Sequence, residues 1–141
     1  MAIYFHTEDI DFNYKEKRKS KKWIKNVINS RDFKAGNLNI IFSSDTYLLK
    51  INQDYLNHNH FTDVITFDYS EKGIISGDIF ISIDKVLDNS SKFGDSFIEE
   101  LNRVIIHGVL HLLGYNDKDE TEKGIMRKME DEALHLWDKT E

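Results

Sequence analysis

The stretch from Val104 to Asp117 constrains this chain more than any other: an apolar run with two histidines four residues apart, closed by a glycine and a carboxylate. Residues i and i+4 of a helix lie one turn apart on one face, so the imidazoles of His107 and His111 point at one spot. Gly114 follows the apolar run by one residue, where a helix C-terminus needs a left-handed residue and glycine has no Cβ penalty. The chain can then turn back over the helix end and offer Asp117 beside the two rings. Two neutral nitrogens and one carboxylate oxygen, with a fourth position open, describe a catalytic metal site better than a structural one. Zinc is the default ion, and nickel, cobalt or iron suit the same donors.

The competing reading makes both histidines hydrogen-bonded residues at the edge of the core. The conjunction of spacing, apolar surroundings, glycine stop and nearby carboxylate favours the metal. Gly108 occupies the position where the metallopeptidase pattern H-E-x-x-H carries its general base. Val109 and Leu110 cannot move protons either. Activation of a nucleophile then rests on the metal acidifying water, or on a base elsewhere that the spacing does not identify. A metallopeptidase is therefore the weaker reading.

With 141 residues the chain can bury a continuous core as one domain, 1–141. The absence of cysteine removes disulfides and thiolate ligands. Residues 1–10 hold no basic region followed by an apolar segment, and no apolar run is long enough to span a bilayer. A cytoplasmic protein without membrane attachment is expected. The formal charge of −6 counts against indiscriminate nucleic-acid binding, yet Lys15, Lys17, Arg18, Lys19, Lys21, Lys22 and Lys25 crowd one segment. Such a cluster can form a local phosphate-binding face, with a solvated helix face as the even alternative.

Periodicity predicts the elements. Residues 1–6 and 38–42 read as strands. Between them the basic segment runs into Trp23, Ile24, Val27 and Ile28 at helical spacing. Ser43, Ser44 or Asp45 caps a helix carrying Tyr47, Leu48, Ile51 and Tyr55. Residues 62–67 and 76–83 form a hairpin turned at Glu71-Lys72-Gly73, and a loop or short helix passes through Asn89, Ser90 and Ser91. Asp95 or Ser96 caps the long histidine helix, with Glu99 and Glu100 near its positive end. A last helix over about 121–137 is expected to bury Ile125, Met129, Ala133 and Leu136. The sum is an α+β fold: a mixed sheet of about four strands packed with helices, the metal site on the long central helix.

Several of these segments resemble the YbeY family of metal-dependent endoribonucleases. The resemblance rests on the residues from His107 to Tyr115, on Thr62-Asp63-Val64-Ile65-Thr66-Phe67 and on Gly77-Asp78-Ile79-Phe80-Ile81-Ser82, with Met126-Arg127-Lys128-Met129-Glu130 behind them. It implies the mixed sheet, a zinc ion, and single-strand-specific cleavage in maturation of the small-subunit ribosomal RNA 3′ end and ribosome quality control. The implied partners are ribosomal RNA, the small subunit with its proteins, and an assembly GTPase.

The chain departs from the family pattern in places. Asp117 stands where the family has a third histidine, and Asn116 where it has an aspartate. Aspartate is a competent zinc ligand that adds negative charge at the ion. Leu56 replaces an arginine associated with activity or RNA phosphate, and Phe61 replaces a proline. His58 or His60 can take over a phosphate contact or proton donation, or stand as exposed loop histidines. The catalytic and metal-binding set expected is His107, His111 and Asp117, with the seven cations of residues 15–25, His58 and His60 as RNA contacts. The rival from another class is a non-catalytic ribosome-assembly or RNA-binding factor with a structural metal.

Overall fold

Alternating side chains on two strands decide how the layers form. Leu38, Ile40 and Phe42 are buried and stand in register with Gly77, Ile79 and Ile81. The two rows make one continuous apolar face on which helices can pack. The protein is described by a computed structural model over residues 2–58 and 62–141. Its elements are β1 (Ile3–Thr7), α1 (Lys17–Asn29), β2 (Lys34–Ser43), α2 (Asp45–Leu56), β3 (Val64–Asp68), β4 (Ile74–Ser82), α3 (Ile83–Phe93), α4 (Phe97–Leu112) and α5 (Glu120–Lys139). The sheet runs β1-β2-β4-β3, with β1, β2 and β4 parallel and β3 antiparallel to β4. The expected mixed sheet of four strands is present.

Local chemistry fixes the joints. Lys72 and Gly73 both have positive φ, as a tight two-residue hairpin turn requires, and Glu71 and Ile74 exchange backbone bonds of 3.0 and 2.9 Å across it. Ser44, Ser82, Ser96 and Asp119 cap α2, α3, α4 and α5, each side chain accepting the backbone N–H three residues on. Trp23 of α1 is fully buried and donates its indole N–H to the carbonyl of Ala133 at 2.7 Å, tying α1 to α5.

Gly108 sets how closely α4 lies on the sheet. A Cβ there would come within 2.7 Å of Ile79 Cγ2 and 3.4 Å of Thr66 Cγ2. Position 108 therefore faces the sheet and not the cleft, so no side chain there can serve as a base beside the histidines. The missing glutamate of the peptidase pattern has a packing reason.

Three expectations shift, and one pair of alternatives, at Asn89 to Ser91, resolves to helix. Strand β2 begins at Lys34, because Lys34 and Ala35 pair with Ile74 and Ile75 ahead of a register shift before Leu38. Asn89, Ser90 and Ser91 lie in an 11-residue helix, capped by Ser82 and anchored by buried Val86 and Ser90. Of the residues expected to be carried on α2, Leu48 is buried and Tyr55 is 68 % exposed, with Asn52 taking the second buried position. In α5 the buried residues are Met126, Glu130 and Ala133, and Ile125 is 48 % exposed. That last rotation follows from Glu130, an acid that periodicity assigns to solvent but that the histidine helix draws inward.

Candidate metal centre

Helix α4 is a rigid platform: residues 104–106 and 108–110 are buried between the sheet and α5, leaving His107 and His111 half-buried on one flank. The helix closes with Leu113 N–H bonded to the carbonyls of Val109 and Leu110, and Tyr115 N–H returning to Leu110 at 3.0 Å. Gly114 takes φ +103°, the conformation expected at this stop. Five residues on, Asp119 begins a reciprocal capping box with Glu122 that starts α5. Asp117 is thus fixed between two helix ends.

The expected convergence is present. The Nε2 atoms of His107 and His111 lie 3.0 Å apart, and Asp117 Oδ2 lies 3.2 Å from the first and 3.5 Å from the second. Donors about 2.0–2.1 Å from a tetrahedral zinc stand about 3.3 Å from one another, and these three edges bracket that value. His107 spends its other ring nitrogen elsewhere. His107 Nδ1 meets Glu130 Oε2 at 2.6 Å, and the His111 ring bonds the Tyr115 backbone. Both Nε2 atoms are left facing Asp117, so the residues fit an ion with one position open.

Glu130 is 7 % exposed at its side chain and is itself held by Arg103, whose Nη1 donates to Oε1 at 2.9 Å. The second arm of Arg103 reaches Asp131 at 2.8 Å. Burial disfavours a charged His107 ring, but Glu130 and Asp117 outweigh it and hold its pKa above the ordinary value. Burial and the charge of His107 push His111 the other way. The coupled pair therefore carries its proton first on His107.

The three donors line an open cleft of about 470 Å³. Its far wall comes from Asn52, Leu56 and His58 at the end of α2, and its floor from residues 62–66. The carbonyl of Asn52 accepts the N–H of His58 at 3.1 Å, across Asn57 in a left-handed cap. Asp63 faces the cleft with its carboxyl pKa raised by burial, an effect His107 opposes. Lys118 stands at the rim beside Asp117. β3 is the outer strand, and its pairing with β4 turns the peptide groups of Val64 and Thr66 away from β4, toward the cleft side.

His107, His111 and Asp117 converge, and His58, an exposed residue, lines the same cleft as Leu56. His60 and Phe61 lie outside the described residues. Lys15, Lys17, Arg18, Lys19, Lys21, Lys22 and Lys25 do not line this cleft. Three residues were missed by sequence reasoning: Asp63, Lys118 and Glu130. Asp63 and Glu130 sat inside the segments that carried the family resemblance, but only the fold turns them toward His107.

An α+β fold in which His, His and Asp donors converge on an open cleft defines a class of protein that could hold a metal ion at that cleft. The family model for endoribonuclease YbeY matches residues 3–138. Relatives named endoribonuclease YbeY include one from Flavobacterium psychrophilum, 50 % identical over 92 % of both chains, and one from Bacteroides thetaiotaomicron, 45 % identical over 96 % of this chain and 99 % of that one. A Thermotoga maritima protein solved in solution shares the fold, with a TM-score of 0.65, 24 % identity and coverage of 98 % of this chain and 93 % of that one. The chain belongs to the YbeY endoribonuclease family.

Proposed function

We propose that this protein is a zinc-dependent endoribonuclease that hydrolyses single-stranded RNA in maturation of the small-subunit ribosomal RNA 3′ end and in ribosome quality control, with ribosomal RNA and the assembling small subunit as its partners. The observation that carries the metal-dependent part is the triangle of His107, His111 and Asp117 opening onto the cleft. Those three residues would hold the ion, which when bound supplies positive charge to the phosphate under attack and acidifies water.

The chain's own residues supply the rest. Asp63 Oδ2 is within 3.5 Å of the Asn89 amide, which orients the carboxyl where it can accept the proton of an attacking water. Its raised pKa brings it closer to the neutral range where a general base works best. Lys118 and His58 flank the opening and contact phosphate, replacing the missing arginine at Leu56. Water adds to phosphorus as the bond to the leaving ribose oxygen breaks, and that oxygen takes a proton from His58 or solvent. Outward peptide groups of Val64 and Thr66 orient the strand along β3.

The test is cleavage of a single-stranded RNA by His111→Ala. Loss of at least about a hundredfold in rate is expected; activity equal to wild type sinks the reading. A non-catalytic factor with a structural metal would instead bind RNA equally in both proteins and cleave with neither.

A further inference from the structure

Helix α1 presents its cations as two rows. Lys17, Lys21 and Lys25 recur every fourth residue, with Arg18 and Lys22 alongside, while Ser20, Trp23, Ile24, Val27 and Ile28 are buried on the opposite face. The rows run about 12 Å along the helix. These five residues form a surface of their own, separate from the cleft.

A helix kept only for packing does not need this arrangement. Cations at a helix N-terminus oppose its dipole, and the first turn of α1 has no acid and no side-chain cap. Helices α2, α3, α4 and α5 each have both. Among the described residues Lys17, Arg18, Lys21 and Lys25 form no salt bridge. Among the described residues Lys22 reaches the carbonyl of Glu141, at 3.0 Å. Positive charge is thus concentrated and unneutralised on a chain whose net charge is −6, which fits a polyanion at this place and not over the whole surface.

The position of the rows relative to the metal centre follows from two contacts. Just past the end of α1, Arg31 lies 5.9 Å from the ring of Tyr115, two residues before Asp117, and 3.2 Å from Sδ of Met129, the neighbour of Glu130. Near the other end, Lys19 sits 4.3 Å over Trp137 at the far end of α5. The cations therefore lie about 10–20 Å along α1 from Arg31, too far to touch the phosphate under attack.

Resting on the RNA reading above, we propose that the α1 rows are a second RNA contact that holds backbone phosphates outside the segment being cleaved, so that long RNA is bound and cleaved in preference to short oligonucleotides. Contacts of this kind carry no sequence information and are lost with salt.

The experiment compares wild type with K17Q/R18Q/K21Q/K22Q, whose glutamines keep helix propensity. Cleavage kcat/KM is measured on a short single-stranded oligonucleotide and on a transcript many times longer, across a salt series. Equilibrium binding of the long transcript is measured in parallel, in the presence of a chelator so that no cleavage intervenes. The expected result is a roughly tenfold or greater loss on the long RNA at low salt, and a salt slope smaller by about 3. The short substrate is expected to be cleaved as by wild type, with a melting temperature no lower than that of wild type. Equal losses on both substrates, or none on either, overturn the proposal. If wild type cleaves neither RNA, the endoribonuclease reading fails by itself. The binding arm then decides: weaker binding by the variant supports the second contact, and equal binding overturns it. Retained RNA binding with lost adhesion to anionic vesicles would make the rows a lipid contact and overturn it too.

Discussion

Glu130 Oε2 lies 2.6 Å from Nδ1 of His107, while Nε2 of the same ring lies 3.2 Å from Asp117. The ring is clamped through one nitrogen so that the other is aimed at the donor set. In metal sites such carboxylates fix tautomer and orientation and are worth about 10- to 100-fold in metal affinity. Glu130→Ala is expected to weaken zinc binding by that amount in a competition titration. It also leaves Arg103, 13 % exposed, with Asp131 alone, for a stability loss of about 3 kcal/mol. Metal affinity unchanged in this variant would show that the clamp has no bearing on the centre.

The metal-free protein is expected to be most stable near pH 6.5, the ordinary value of both histidines. His111 has its pKa lowered on folding. Below 6.5 the unfolded chain binds the proton more readily, so stability rises with pH up to that value. His107 has its pKa raised. Its contribution is complete below 6.5 and is lost as pH rises through the folded value. Metal uptake needs both rings unprotonated, so zinc affinity instead climbs through the same upper window. Denaturant melts of chelated and zinc-loaded protein between pH 5 and about 8.5 check this; parallel curves would contradict it.

Gly108→Ala tests the close approach of α4 to the sheet. Alanine improves helix propensity by ~1 kcal/mol. Its methyl would meet Ile79 Cγ2 at 2.7 Å, and Ile79 is fully buried and β-branched, with nowhere to swing. Overpacking of about 1–3 kcal/mol is expected to win, giving a net loss of about 1 kcal/mol in chemical denaturation. A more stable variant would mean that the helix can lift off the sheet freely.

Asp63→Asn separates proton transfer from metal binding. A general base contributes about 10²–10⁴ in rate, and Asp63 is not one of the three converging donors. The variant is expected to lose kcat by that order, keep its zinc, and lose the acid limb of the pH–rate profile. A normal kcat would assign the proton to another group.

Much of this was legible because regular elements announce themselves through periodicity. The i, i+4 histidines on an apolar run and the glycine stop sufficed to place His107, His111 and Asp117 together. The hairpin turn at Lys72-Gly73 and the cap at Ser96 were equally local. What stayed hidden depends on contacts distant in sequence. Glu130 reads as a surface acid until α5 is laid against α4, and 23 residues separate it from His107. Asp63 reads as one residue of a strand until the fold sets it just ahead of β3, on the cleft that holds His107. The basic rows of α1 could be seen, but not that they lie off the cleft, since that follows from α1 running along α5.

The most direct measurement is the rate of single-stranded RNA cleavage by chelator-stripped protein as zinc is added back, with Asp117→Ala beside wild type. The protein is prepared without a histidine tag. Activity that is absent at first, saturates near one zinc per chain in wild type, and needs far more zinc or never returns in the variant is the expected result. Full activity in stripped wild type, or identical zinc curves for both proteins, would contradict a metal centre formed by His107, His111 and Asp117.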